Sequence, residues 1–559
     1  MQQSLRRLVC FTFACCLVSN FASSDVFGQL NEKTIRVFIF AGQSNMVGAD
    51  SKADDIKNFP PFAGLEDAQD EIKFSYCIGR ETKTKSEGWV SLRPIKNMVG
   101  SELSFARKIS RHTTEPIAII KVAAGGTHLG GDWNPDEPSG FKLYPLALQH
   151  VKDCLAGLEK DGFEYEVEGF MWHQGENDMF NETYMKNYGS NLENFVARWR
   201  EDLECPKLKF FVGELCTKTI WGMDLRPRMY AISIGQRKVA ESDPLVEYVP
   251  TSHVGVEIGG GVGLHYHYGT LGQLEHGENY ADAWMRSSGI EFEERQPELT
   301  AWPYKKPNKV KLFVLAGHRN MEGERAFVQD LEQLKTDESK LLLTPNQQVA
   351  FKYSIGGGHK SSNGWMPLCP SGFYDTFGPE LSFGATLNDA AKDDNVAILK
   401  YTHSGSQVVD WSPGGSMAKS RNLYPSFIEF LRQSVKEIES HGNEVELAGI
   451  FYHVGENDMS YGPFRKATSE HVAAMIKQSR IDLGQPNLKW FVSQQRPTDD
   501  KSVNKIEVVS KFSALAANDA NIIHIKTFDL PGQEKKLVIS TAGIVQLGKK
   551  LATAYLIQN

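Results

Sequence analysis

The fold of this chain is decided by the stretch Phe38-Ile-Phe-Ala-Gly-Gln-Ser-Asn-Met-Val-Gly48. Its apolar part belongs to a run at 35–41, which predicts a β-strand buried on both faces, as in a parallel sheet. Ser44 follows this strand, so it lies at the carboxyl edge of the predicted sheet, where open α/β folds place their sites. A hydroxyl in this setting can act as a nucleophile, although this stretch alone favours a helix-capping role for Ser44.

The chain of 559 residues contains an internal repeat with two copies. The paired segments, in the same order in both halves, are 37–48 and 312–323, 102–105 and 380–383, 143–145 and 423–425, 169–178 and 449–458, and 208–212 and 488–492. A repeat of this length indicates a domain duplication, because the repeats of solenoid proteins are far shorter. We expect domains at 33–290 and 308–559, joined by a linker at 291–307 that is rich in charge and proline.

Short apolar strands alternate with helical patterns within each half. In the first half, residues 116–122, 169–172 and 208–212 are typical of strands. Apolar residues between 192 and 203 recur at helical spacing. Alternation of strands and helices predicts a parallel sheet covered on both faces, and therefore an α/β fold in each half.

The first residues are typical of a secretory signal peptide, which we place at residues 1–28. Two arginines precede an apolar run at 8–18, and small residues follow it. We therefore expect a secreted or periplasmic protein with no integral membrane segment, because no later stretch is long and apolar enough for a membrane helix. Lipoprotein anchoring through Cys15 or Cys16 is the weaker alternative, since little of the apolar run precedes them.

The charge of the chain argues against one class of partner. The formal net charge is −8 with both signs mixed along the chain, which argues against a nucleic-acid partner.

The cysteines after the signal segment are Cys77, Cys154, Cys205, Cys216 and Cys369. Cys205 and Cys216 are close enough in sequence to pair, but the sequence does not decide it. No pair has zinc-ligand spacing, so we expect no metal and no cofactor, and no pattern indicates the oligomeric state.

Three later stretches carry polar groups at predicted strand or helix ends. They are Ala123-Ala-Gly-Gly-Thr127, Trp172-His-Gln-Gly-Glu-Asn-Asp178 and the segment 264–281, which opens with His265 and His267. Each has a plain structural interpretation when taken alone, such as a tight turn, a helix cap or a structural histidine. The density of polar side chains in 172–178 exceeds what capping explains, because buried polar groups need partners.

Taken together, these motifs resemble the sialate O-acetylesterase family. The residues that carry the resemblance are Gly42-Gln-Ser-Asn-Met46, Gly125-Gly-Thr127, His173-Gln-Gly-Glu176 and a late histidine followed five residues on by Gly272-Gln273. This family is the branch of the SGNH (GDSL-type) hydrolases that includes acetylxylan esterases of carbohydrate esterase family 6. The resemblance implies tandem flavodoxin-like three-layer α/β/α sandwiches with parallel sheets, and serine-dependent removal of acetyl groups from carbohydrates.

The resemblance also implies roles for individual residues. Ser44 would be the nucleophile, and the spacing to Gly272 assigns the catalytic histidine to His267 instead of His265. The oxyanion would be held by the N–H groups of Ser44 and Gly126 and by the side-chain amide of Gln174. Acyl transfer needs such a base and such donors.

One departure concerns the acid that orients the histidine. Many SGNH enzymes have an aspartate three residues before the histidine, where this chain has Leu264. An imidazolium still needs an orienting carboxylate, and the resemblance to family 6 esterases suggests Glu176. Asp178 is the second choice, with a helix cap as its alternative role, and His173 is expected to hold the loop by hydrogen bonds.

The second half departs further and is expected to be inactive. Arg319 replaces the serine, Val454 replaces Gln174, and Val538 stands at the histidine position, while Glu456 remains. We expect Arg319 to pair with Glu456 in a packing role, with binding of an anionic ligand as the alternative.

The leading hypothesis is a secreted carbohydrate O-acetylesterase with one working Ser-His-Glu site, acting through an acetyl-enzyme. The alternative is a non-catalytic glycan-binding protein built on two esterase-like domains. A lipid esterase is less favoured, because no long apolar stretch resembles a lid. Trp133 either stacks on a sugar or packs in the core, since Trp411 occupies the equivalent place of the second half.

Overall fold

The computed structural model describes residues 34–215, 217–220, 223–256, 266–292, 295–390, 394–416, 421–460, 462–496, 507–531 and 538–558. They form two α/β domains, each with an eight-stranded, mostly parallel sheet between two layers of helices. This architecture confirms the predicted tandem three-layer sandwiches. The proposed signal peptide, Leu264, His265 and Cys216 lie outside the described residues.

Domain 1 contains ten strands and seven α-helices among the described residues. They are β1 Thr34–Gly42, α1 Ser44–Val47, β2 Gln69–Ile78, β3 Thr84–Lys85, β4 Val90–Leu92, α2 Glu102–Ile109, β5 Ile117–Ala123, α3 Leu143–Lys160, β6 Glu164–His173, α4 Glu182–Lys186, α5 Tyr188–Asp202, β7 Phe210–Gly213, β8 Thr219–Ile220, β9 Met223–Asp224, α6 Arg226–Ser242, β10 Val246–Val249 and α7 Gly269–Ser287. The strands predicted at 35–41, 116–122, 169–172 and 208–212 correspond to β1, β5, β6 and β7.

The central strand β1 is buried on both faces, as its apolar run predicts. The sheet order is β10-β7-β6-β1-β5-β2-β3, with β4 also paired to β2. Val37 and Ile39 face the core built with α3, α5 and α6, whereas Phe38 and Phe40 face the core built with α2 and α7. Because successive side chains of a strand point to opposite faces, a continuous apolar run fits this central position.

The three middle strands of domain 1 end in one row. Gly42 of β1 is in register with Ala123 of β5 and with His173 of β6. The chain crosses from one side of β1 to the other at this point, so the strand order reverses between β1 and β6. Ligand sites of open α/β sheets lie at the carboxyl ends of strands beside such a reversal.

Domain 2 repeats this arrangement. Its elements are β11 Lys309–Gly317, α8 Arg319–Glu322, α9 Val328–Leu334, α10 Asp337–Leu343, β12 Asn346–Ile355, β13 Lys360–Ser361, β14 Met366–Leu368, α11 Glu380–Ala390, β15 Asn395–Thr402, α12 Tyr424–Ser440, β16 Glu444–His453, α13 Glu456–Ser460, α14 Gly462–Asp482, β17 Trp490–Gln494, α15 Glu507–Asn518, β18 Ile522–Lys526 and α16 Thr541–Gln558. The order β13-β12-β15-β11-β16-β17-β18, with β14 paired to β12, matches that of domain 1. Gly317 ends in register with Thr402 and His453, so the same edge is formed.

The cysteines among the described residues are Cys77, Cys154, Cys205 and Cys369, and no disulfide joins any two of these four. Cys216, the candidate partner of Cys205, is outside those residues. Among the helices that the structure describes, none combines the length and apolarity needed to cross a bilayer.

The end of β1 leaves no space for a side chain, which gives a testable consequence. A Cβ at Gly42 would lie 2.0 Å from the His173 carbonyl oxygen. We expect Gly42→Ala to lower the free energy of unfolding by about 2–5 kcal/mol, because backbone atoms must shift. Gly414→Ala is the matched control, since its Cβ would meet no atom within 4 Å. Urea unfolding of both variants measures this; equal midpoints would contradict the prediction.

Candidate active site

The loops that follow β1, β5 and β6 meet at the carboxyl edge of the domain 1 sheet. The Gln43 N–H donates to the His173 carbonyl over 3.0 Å, and the Ala124 N–H donates to the Gly42 carbonyl over 3.1 Å. These bonds join the three loops directly after the strands end. Ser44, the Gly125-Gly126 pair and the residues after His173 therefore lie together, as the strand order requires.

Ser44, His267 and Asp50 form a chain of hydrogen bonds at this edge. His267 Nε2 lies 3.0 Å from Ser44 Oγ, and His267 Nδ1 lies 2.7 Å from Asp50 Oδ2. The His267 side chain is 6% exposed and that of Asp50 is 30% exposed, so the imidazole is shielded while the acid borders solvent. The structure brings together the serine and the histidine that the sequence singled out.

A tight turn after Ser44 brings Asp50 back to the histidine. The short helix α1 ends at Gly48, whose φ is +96°, and both Gly48 and Ala49 donate their N–H groups to the Ser44 carbonyl. Asp50 itself has a φ of +59°, a left-handed conformation that aspartate adopts more readily than most residues. Such conformations concentrate at functional sites.

The backbone on both sides of His267 is held by Asn45, the residue after the serine. The Asn45 side chain donates to the Tyr266 carbonyl over 3.4 Å and accepts the Tyr268 N–H over 3.2 Å. Thr217 Oγ1 also donates to the Tyr266 carbonyl, over 3.0 Å. The position of the imidazole thus depends on the same short loop that carries Ser44.

Glu176 does not lie against His267 in this structure. Its Oε1 accepts the Asn45 Nδ2–H over 2.6 Å and lies 3.3 Å from His173 Nε2. Burial acts to raise the pKa of the Glu176 carboxyl, but His173 and Asn45 outweigh burial and hold its pKa below the ordinary value. Glu176 therefore reaches the histidine only through Asn45, and the position expected for it is taken by Asp50.

Sequence reasoning missed Asp50 for an identifiable reason. The Leu264 departure indicated that the acid must come from elsewhere, but Asp50 belongs to no motif that the sequence offers. Its place depends on two successive left-handed turns, at Gly48 and at Asp50 itself. Only the glycine at 48 hints at such a reversal, and glycines are common at turns.

The Gly125-Gly126 turn lies beside the serine. A Cβ on Gly125 would lie 3.4 Å from Ser44 Cβ, and Gly126 has a φ of +72°. Arg80 Nε donates to the Gly125 carbonyl over 2.7 Å and fixes the turn from outside. Within the part of the chain that the structure describes, the N–H groups of Ser44 and Gly126 have no acceptor. Both amides are therefore available to a ligand.

The side-chain amide of Gln174 is already engaged, unlike the free donor that the resemblance implied. Gln174 Nε2 lies 2.5 Å from Asp178 Oδ2, 2.9 Å from the Thr127 carbonyl and 3.1 Å from Gln43 Oε1. An amide nitrogen has only two hydrogens for these three acceptors. Gln174 consequently ties the loops together.

Asp178 also serves the loops and lies away from the histidine. Its carboxylate accepts the N–H groups of Leu129 and Gly130 over 2.9 and 3.1 Å. Burial raises the pKa of Asp178 in spite of these bonds. Trp133 is fully buried against Trp172 and donates to Thr127, so its role is packing.

The equivalent edge of domain 2 holds different chemistry. The Glu456 carboxylate accepts the backbone N–H groups of Arg319 and Asn320 over 3.1 and 3.0 Å. The Arg319 guanidinium pairs instead with Glu324, over 3.0 Å, and not with Glu456 as expected. The same Nη1 donates to the Val256 carbonyl of domain 1 over 2.8 Å. Arg319 is thus in contact with the neighbouring domain, and its side chain is only 1% exposed to solvent.

The domain 1 arrangement can activate a hydroxyl nucleophile. The imidazole can take the Ser44 proton, Asp50 can stabilise the imidazolium, and the free amides can bind an oxyanion. No group of three or more His, Cys, Asp or Glu residues within the described ranges is arranged to hold a metal ion.

Comparisons with known proteins agree with the duplication. The sequence profile of the family described as "Carbohydrate esterase, sialic acid-specific acetylesterase" matches residues 34–286 and again residues 309–557. A probable carbohydrate esterase from Arabidopsis thaliana is 22% identical over 280 residues, which cover 49% of this chain and 98% of the relative.

Two solved structures are also similar to this chain. A protein from Arabidopsis thaliana matches with 18% identity and a TM-score of 0.35, covering 45% of this chain and 98% of that chain. A carbohydrate acetylesterase from Xanthomonas citri matches with 15% identity and a TM-score of 0.33, covering 45% of this chain and 56% of that chain.

The geometry predicts selective reaction of Ser44 with a fluorophosphonate. Ser44 Oγ would bond to phosphorus as fluoride leaves, while His267 Nε2 takes the hydroxyl proton. We expect one label per chain, located on Ser44 by peptide mass spectrometry, and labelling of His267→Ala at least about 10²-fold slower, because the base is lost. Labelling of a different serine, or an unchanged rate in folded His267→Ala, would contradict this assignment.

Proposed function

This chain belongs to the family of carbohydrate esterases described as sialic acid-specific acetylesterases, and we propose that it is a serine esterase that releases acetate from O-acetylated carbohydrates. The observation that carries the proposal is the hydrogen-bonded chain from Ser44 through His267 to Asp50, over 3.0 and 2.7 Å. Two free backbone amides beside the serine support it, because acyl transfer develops negative charge on the carbonyl oxygen.

Acylation begins when His267 Nε2 accepts the proton of Ser44 and Oγ attacks the carbonyl carbon of the acetyl group. The carbonyl electrons move to oxygen, and the amides of Ser44 and Gly126 stabilise the oxyanion. The bond to the sugar oxygen then breaks, and that oxygen takes the proton from His267. Acetyl-Ser44 remains as a covalent intermediate.

Deacylation repeats the proton transfers with water. His267 removes a proton from a water molecule, which attacks the acetyl carbonyl, and Ser44 Oγ leaves and regains its proton from His267. Asp50 accepts the Nδ1–H bond over 2.7 Å and so holds the imidazole in the tautomer that presents Nε2 to the serine. Acetate and the deacetylated carbohydrate are the products.

We further propose that domain 1 holds the only working site and that the protein acts outside the cytoplasm. In domain 2, Arg319 and Val454 stand at the positions of Ser44 and Gln174, and Val538 stands at that of His267. An arginine keeps its proton and offers no attacking lone pair, so Arg319 cannot replace Ser44 as a nucleophile. The signal-like residues 1–28 support an exported protein.

The first test is removal of the nucleophile. We expect Ser44→Ala to lower kcat for acetate release from peracetylated sugars by about 10⁴-fold or more, since the members of such a site act as a unit. Ser190→Ala, at an exposed serine at the start of α5, is the control for a serine-to-alanine change away from the site and should keep wild-type kcat. Thermal unfolding should be nearly unchanged in both. Comparable acetate release by Ser44→Ala and wild type would contradict the proposal.

A second test separates Asp50 from Glu176 as the orienting acid. We expect Asp50→Asn to lower kcat by about 10²–10⁴-fold, because the amide favours the wrong imidazole tautomer. Glu176→Gln should lower kcat by less than about 10-fold, because Glu176 acts only through Asn45. Acetate release at saturating substrate measures both. The opposite ranking in two folded variants would transfer the role to Glu176.

A further inference from the structure

The carboxyl edge of the domain 2 sheet is occupied by a segment of domain 1. The segment is residues 252–256, which follow β10. Arg319 Nη1 donates to the Val256 carbonyl over 2.8 Å, and Ser404 Oγ donates to the His253 carbonyl over 2.9 Å. A Cβ on Gly405 would lie only 1.6 Å from the Ser252 carbonyl oxygen, so the two backbones approach closely there.

The same segment packs against the helix that begins just after His267. The Gly255 N–H donates to Glu275 Oε2 over 2.5 Å, and a Cβ on Gly272 would lie 2.0 Å from the Gly255 carbonyl oxygen. Glu275 and Gly272 belong to α7, whose first residue is Gly269. Residues 252–256 therefore lie between the carboxyl edge of the domain 2 sheet and the start of α7.

A second link joins this region to the residue after the histidine. Tyr268 Oη lies 2.9 Å from Thr251 Oγ1 and 3.0 Å from the Glu214 carbonyl oxygen, and its single hydrogen can serve one of these two acceptors. Thr251 in turn donates its hydroxyl to the Glu214 carbonyl over 2.6 Å. Thr251, the residue before 252–256, is thus bonded through its side chain to Tyr268, next to His267.

Arg319 is an unusual residue for a purely packing interface. Its side chain is 1% exposed, and burying a cation is costly unless it is paired and hydrogen-bonded. Here Glu324 provides the charge, and Val256 of domain 1 provides a carbonyl. A serine at this position would be too short to span the two domains. An apolar side chain would pack there without binding residues 252–256.

We propose that domain 2 is a brace for the active site of domain 1, in which Arg319 is a positioning residue that fixes residues 252–256 and, through them, His267. This proposal rests on the proposed function, because it assumes that His267 is the base of the esterase reaction. In this proposal, domain 2 contributes to catalysis in domain 1 without carrying out a reaction of its own.

The test replaces the buried pair with uncharged residues. The double variant Arg319→Met/Glu324→Gln removes the cation and its carboxylate partner together, so neither is left buried without the other when the bond to Val256 is lost. We expect kcat for acetate release to fall about 10-fold or more with KM changed less than about 2-fold, because small misplacement of a base slows chemistry more than binding. Arg319→Lys, which keeps the charge and a donor, should recover part of the loss.

The matched control is Arg226→Met. Arg226 also donates across the domain interface, to Gln407, but it begins α6, which carries no catalytic residue. It should change the melting temperature while kcat stays within about 2-fold. Equal losses of kcat in the control and the double variant would overturn the brace, because any weakening of the interface would then suffice.

A spectroscopic readout keeps the test independent of turnover. The Nδ1 proton that His267 shares with Asp50 should give a low-field proton NMR signal, which is assigned by its loss in Asp50→Asn. We expect this signal to shift or broaden in the double variant and to remain in Arg226→Met. An unchanged signal together with wild-type kcat would overturn the brace.

Two further measurements distinguish failure of the brace from misfolding and from failure of the proposed function. If the double variant does not fold, Ser404→Ala removes a single bond to the same segment and should lower kcat about 2- to 5-fold, and wild-type kcat in that variant would overturn the brace. Retained activity in Ser44→Ala would refute the proposed function by itself, whereas the NMR signal would still report whether domain 2 positions His267.

Discussion

The close approach of three strand ends at Gly42 is the constraint on which the rest of domain 1 depends. The Gly42 carbonyl accepts the N–H of Ala124, the Gln43 N–H donates to His173, and no side chain fits between them. Because these bonds form directly where β1, β5 and β6 end, the loops that follow have little freedom to separate. The serine, the glycine turn and the polar loop after His173 are consequently held at one edge by backbone geometry, before any side chain contributes.

Domain 2 keeps the same constraint although its chemistry has changed. Its Gly317 carbonyl accepts the His403 N–H over 3.0 Å, and a Cβ there would lie 2.6 Å from the His453 carbonyl oxygen. A buried lysine–glutamate pair is also present in both domains, Lys121 with Glu102 over 2.7 Å and Lys400 with Glu380 over 2.9 Å. Breaking a buried ion pair is strongly destabilising, which explains why both copies contain it. The differences between the domains therefore lie at the loop ends and not in the scaffold.

The sequence was sufficient to predict those features that depend on a periodic apolar pattern or on a recognisable motif. The apolar run of β1 and the repeated segments predicted both sheets, and the family match confirms the resemblance that the motifs suggested. The pairing of Ser44 with His267 followed from a motif register. Three other placements, those of Asp50, the Gln174 amide and the Arg319 guanidinium, depend on side-chain directions and left-handed turns. Spacing along a chain does not encode these directions. A polar residue inside a motif, such as Glu176, is then easily assigned a position that a residue outside the motif, such as Asp50, occupies in the structure.

Domain 2 holds an arginine where domain 1 has Ser44, and residues of domain 1 cover this position. In an isolated domain, a buried arginine at the end of the central strand would need a carboxylate and further acceptors to offset its desolvation. Glu324 supplies the first within domain 2, and Val256 of domain 1 supplies a carbonyl acceptor. The substitution and the domain interface therefore depend on each other. A serine in place of Arg319 would lose both the bond to the Val256 carbonyl and the 3.0 Å ion pair with Glu324, so the fold of the two domains together favours the arginine.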